Sequence, residues 1–60
     1  MDKKQIAEIT ELSYQYSRCW HEAGKTWEQI GAAMRAVTLL MAATDLSFEI
    51  CIRRVNAEIL

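Results

Sequence analysis

Apolar side chains recur at helical spacing from the start of the chain: Ile6, Ile9, Leu12, Tyr16, Cys19, Trp20 and Ala23. Positions 9, 12, 16, 19 and 23 trace a seam of three- and four-residue steps, while Glu8, Glu11, Gln15 and Arg18 fall elsewhere on the wheel. An amphipathic helix with one buried stripe has this pattern. Asp2 can cap its free N–H groups, and Gly24 can take the left-handed conformation that ends a helix. The spacing predicts a helix over about residues 3–23.

Thr26 and Gln29 then form an S/T-x-x-E/Q arrangement, in which each side chain satisfies a backbone N–H of the other at a helix start. Glu28 suits the positive end of the dipole of that helix. A second helix is expected over residues 27–43, and the short connection folds the two into an antiparallel hairpin. Trp27, Ile30, Met34, Val37 and Met41 make its stripe, Ala33 and Leu40 widen it, and Leu39 lies outside. No charge follows Arg35 until Asp45. One neighbouring helix cannot cover so wide an apolar surface, so the missing cover is expected from a second copy of the chain.

The last segment carries two periods at once. Leu46, Phe48, Ile50 and Ile52 alternate with Ser47, Glu49, Cys51 and Arg53, as in a half-buried strand. Phe48, Cys51, Ile52, Val55 and Ile59 also share one helical face, and Ser47 could cap a helix there. The strand reading places Ile50 inside and the helix reading leaves it exposed. A short strand at about residues 47–53, paired across a dimer axis, is the leading expectation; a third helix over 47–59 is the alternative. The expected fold is therefore a mainly α single domain over residues 1–60, a dimeric helical hairpin with a C-terminal strand. Its dimer core would hold Ile30, Met34, Val37, Leu40, Met41, Phe48, Ile50 and Ile52.

Composition narrows the class. Sixty residues, 52% hydrophobic and 25% charged, with no proline and two glycines, are too apolar for a disordered chain. So short a chain usually needs a staple or a partner. Cys19 and Cys51 are expected as reduced thiols, because Met1-Asp2-Lys3-Lys4 leads into no apolar signal segment. The longest uncharged run, Ala36 to Thr44, is too short to span a bilayer, so a cytoplasmic protein without a membrane partner is expected. A net charge of −1 supplies no basic field for nucleic acid.

Catalytic chemistry finds little support. Cys19 and His21 point about 200° apart on a helix, so local geometry does not pair them as nucleophile and base. With Cys51 they lack the recurring spacing of a zinc site, the glutamates form no convergent pair, and there is no Gly-rich phosphate loop. Neither an enzyme nor a cofactor is expected. Tyr14, Tyr16, Trp20 and Trp27 cluster near the hairpin turn, where they could cap the small core or form a binding hot spot. Tyr14 lies off the seam and is the member expected in solvent. Arg53 and Arg54, with Arg35, Lys3 and Lys4, could meet an anion or simply be solvated; on a strand, the adjacent pair would point to opposite faces.

The stretch Thr38-Leu39-Leu40-Met41-Ala42-Ala43-Thr44-Asp45-Leu46-Ser47, followed by Phe48 to Asn56, resembles the helix-turn-helix of bacterial repressors. Leu46-Ser47 matches the hydrophobic residue and serine that often follow the turn. Asp45 stands for the usual turn glycine, and Met41 falls where a small alanine normally allows close packing. The resemblance implies DNA binding with Arg53 and Arg54 as contacts, although Phe48, Glu49, Ile50 and Ile52 are a poor set for reading base edges. In size, helical layout and want of catalytic motifs the chain also resembles small accessory regulators of temperate bacteriophages, a likeness of type that no motif carries.

The leading expectation is a homodimeric adaptor or regulator that takes a segment of another protein into an apolar cleft. Tyr14, Trp20, Trp27, Met34 and Met41 are its candidate contacts.

Overall fold

The computed structural model describes residues 2–60 as three helices: α1, Lys3–Glu22; α2, Trp27–Ala43; and α3, Phe48–Ile59. The hairpin ends fall where the local chemistry sets them. Asp2 Oδ1 accepts from the Gln5 N–H at 2.8 Å, and Gln5 Oε1 accepts from the Asp2 N–H at 3.1 Å, closing a capping box. At the other end Gly24 has φ +96°, which lets its N–H reach the His21 carbonyl at 3.0 Å and the Lys25 N–H reach that of Trp20 at 2.9 Å. Two carbonyls that the helix end would orphan are thereby satisfied. Thr26 and Gln29 close a second box, at 2.8 and 3.1 Å.

The expected C-terminal strand is not there. Residues 48–59 are helical, and among the described residues no strand occurs. Ser47 Oγ caps α3 by accepting from the Ile50 N–H at 3.3 Å. The alternation over 46–52 loses for two reasons. It ends at Ile52, whereas the helical stripe of Phe48, Cys51, Ile52, Val55 and Ile59 runs on to the end of the segment. A helix also satisfies its own backbone, while a lone strand needs a mate that one chain of this length lacks. Ile50 accordingly lies off the stripe, 42% exposed.

The helix supplies from within the chain much of the cover that the sequence pattern assigns to a second copy. α2 and α3 form the principal packing, with α1 laid against both. One core results, built from Trp20, Ile30, Ala33, Val37, Phe48, Cys51, Ile52 and Val55. Four residues expected in a dimer core (Ile30, Val37, Phe48 and Ile52) are buried within the single chain, and Met34, Leu40 and Met41 pack half-buried around them. The wide apolar surface of α2 is thus covered largely by α3. Trp20, fully buried, donates its indole N–H to Asn56 Oδ1 at 2.7 Å and so ties α1 to α3. No buried polar side-chain atom among the described residues lacks a partner, which fits a core this small.

Candidate protein-binding surface

The two tryptophans have opposite fates. Trp20, a candidate contact on sequence grounds, is sealed in the core by α3 and unavailable to a partner. Trp27 occupies the first position of α2, beyond the reach of the rest of the core, and is 66% exposed. Its indole stacks on the His21 imidazole, with centroids 4.2 Å apart and planes 13° from parallel. The tight Gly24 turn makes this possible, because it brings the last turn of α1 against the first turn of α2.

Tyr14, 63% exposed, lies two turns before His21 on the same side of α1. Together with Ser17, Arg18, His21, Glu22 and Trp27 it lines an open cleft of about 420 Å³. Arg18 Nε donates to Glu22 Oε1 at 2.9 Å at its edge. That hydrogen bond, with Tyr14 adding to it, raises the guanidinium above its ordinary pKa, and the Glu22 carboxylate balances its charge. The surface offers two aromatic faces, two hydroxyls, an imidazole and one ion pair.

Met34 and Met41 lie elsewhere. Met34 packs half-buried on the core, and Met41 borders a separate cleft of about 240 Å³ with Gln5, Glu8, Ile9, Ser47 and Phe48. Of the five candidate contacts, only Tyr14 and Trp27 meet. His21 was missed as a contact; the short link through Gly24 was the signal that could have placed it beside Trp27.

Arg53 and Arg54 project about 100° apart from α3. Arg53 is tied to Glu49 at 2.9 Å, and Arg54 borders a groove between α2 and α3 with Leu40, Val55, Ala57 and Glu58. They form no single basic patch. The turn 44–47 between α2 and α3 is held by the Thr44 hydroxyl, which donates to the Leu40 carbonyl at 2.7 Å and accepts from the Leu46 N–H at 3.3 Å. Cys19 is exposed and Cys51 buried, and neither forms a disulfide. Among the described residues no three potential metal ligands gather, and no helix is long and apolar enough to cross a membrane.

A second exposed apolar feature lies on the outer side of α2. Leu39 is 69% exposed there, flanked by Ala32, Ala36 and Ala43, all in solvent. No family model matches the chain, and no curated protein and no solved structure matches it either.

Proposed function

We propose that the protein is a small homodimeric regulator or adaptor that binds a segment of another protein in the cleft formed by Tyr14, His21 and Trp27. The exposure of Trp27 carries this reading. An indole two-thirds in solvent, held in one orientation by stacking on His21, is a preorganised anchor. Covering its exposed surface, about 130 Å², would contribute roughly 3 kcal/mol. Trp and Tyr dominate the energetic centres of protein interfaces because they present large area with few torsions to freeze. Arg18 and Glu22 at the edge supply polar contacts that orient the partner.

The rival reading is a helix-turn-helix DNA regulator, favoured by one observation: 48–59 is helical, as a recognition element must be. The side chains on that helix argue against it. Glu49 neutralises Arg53, Ile50 and Ala57 occupy solvent positions, and the whole chain carries −1.

The test compares proteins retained from the native host by wild-type bait and by Trp27→Ala bait, followed by calorimetry with the purified partner. The expected result is one partner lost from the variant, with an affinity roughly 30- to 150-fold weaker and little dependence on salt. Equal retention by both baits refutes the cleft. Binding to duplex DNA that falls steeply between low and physiological salt establishes the rival.

A further inference from the structure

Building on the homodimer proposed above, we infer that its two copies meet through the outer face of α2, packed antiparallel about a two-fold axis, with the exposed edge of α3 closing one side. Three observations converge on that occupant.

The first is area. A folded monomer of 6.9 kDa exposes about 4,000 Å² by the surface–mass relation, whereas this chain exposes 4507 Å². The excess, about 500 Å², is more than half of the roughly 800 Å² that each partner contributes to a stable interface. Among the described large hydrophobic residues that stand in solvent, Leu39 on the outer side of α2 is the most exposed, at 69%.

The second is the register of the outer face. Ala32, Ala36, Leu39 and Ala43 follow one another at four, three and four residues, about 120° round α2 from the core-facing Ile30, Ala33 and Val37. Reversing α2 against its copy about a point between Val37 and Thr38 sets Ala36 against Leu39 of the second copy and Ala32 against Ala43 of the second copy. Each projecting leucine thus meets a small residue, and the alanines let the two axes approach closely.

The third is charge. Arg54 and Glu58 lie one turn apart on the edge of α3 beside this face, and neither joins an ion pair among the described residues. Glu58 borders the α2–α3 groove beside Ala36, and both residues border it beside Leu40. Arg54 therefore lies toward the Leu40 end of the stripe, and Glu58 toward its Ala32 and Ala36 end. The same rotation brings Arg54 opposite Glu58 of the second copy, and by symmetry does so twice. A helix of unrelated sequence would have to reproduce both features at this spacing; a second copy carries them already.

Sedimentation equilibrium across micromolar to submillimolar concentration is the test, on wild type, Leu39→Asp, Glu58→Arg and the swap Arg54→Glu/Glu58→Arg. Leu39 and Glu58 are exposed in the single chain, so these variants should keep the wild-type circular dichroism. Wild type is expected at twice 6.9 kDa. Leu39→Asp should raise the dimer dissociation constant by roughly 100-fold or more, since two carboxylates would be buried at the centre. Glu58→Arg should weaken the dimer by roughly tenfold, and the swap should restore it. A monomeric wild type overturns both this interface and the homodimer, while leaving the Trp27 cleft to its own test. A dimer indifferent to Leu39→Asp overturns the interface alone. Dimers weakened by Leu39→Asp but equal for Glu58→Arg and the swap overturn the antiparallel arrangement.

Discussion

Replacing Asn56 by alanine removes the one hydrogen-bond acceptor that the buried Trp20 indole has among the described residues. The bond is short, 2.7 Å, and joins residues in α1 and α3 that are far apart in sequence. Trp20 has no exposed surface, so the orphaned N–H cannot reach bulk water without moving the ring. Leaving such a donor unsatisfied costs about 1–3 kcal/mol. Asn56 itself is half-buried, so a water entering the vacated space would recover part of that, and about 2 kcal/mol is expected. Total stability at this length is on the order of 3–9 kcal/mol, so the loss is a large fraction, and roughly 8–16 °C of Tm. Urea denaturation followed by circular dichroism measures it. A double-mutant cycle with Trp20→Phe separates the bond from packing, because Asn56→Ala should cost about 1 kcal/mol less once the indole N–H is gone. An Asn56→Ala effect below about 0.5 kcal/mol, the size of an ordinary surface change, would refute the claim that α3 closes over Trp20.

Four further outcomes follow from the same packing. Gly24→Ala should destabilise by about 1–2 kcal/mol although nothing lies within 4 Å of the added Cβ, because the cost lies in the φ of +96°; denaturation midpoints will show it. Trp27→Ala should leave stability within about 0.5 kcal/mol of wild type, whereas Trp20→Ala should lose about 3–5 kcal/mol and unfold much of the population. Ellman's reagent should titrate the Cys19 thiol at once in native protein and the Cys51 thiol only on unfolding; simultaneous reaction would contradict the burial of Cys51. EDTA should leave the circular dichroism unchanged, since no cluster of potential ligands is present among the described residues.

What the sequence made legible was local. Asp2 with Gln5, Thr26 with Gln29, and Gly24 mark helix ends through groups within a few residues of one another, so the hairpin could be read directly. The segment after Leu46 could not be, because seven residues of alternation and a twelve-residue helical stripe share the same apolar side chains. Only the availability of a mate decides between them, and that is a tertiary fact. The same gap bears on the core. With a third helix undecided, the breadth of α2 pointed to a second chain, and Ile30, Val37, Phe48 and Ile52 were assigned to it. At the candidate site, Tyr14 was legible as a residue off the seam. Trp20 and Trp27 were not separable, since their fates depend on where α3 lies over α1 and α2.

Hydrogen exchange of the two tryptophan indole N–H groups, read residue by residue by NMR alongside the amides of α3, bears most directly on that arrangement. The Trp20 indole and the amides of Cys51, Ile52 and Val55 should exchange only through global unfolding, and the backbone shifts of Phe48–Ile59 should be helical. The Trp27 indole should exchange at the rate of a solvent-facing group, leaving it free to anchor a partner. Slow exchange at both indoles, or extended shifts through Phe48–Ile52, would contradict a three-helix chain that buries one tryptophan and presents the other.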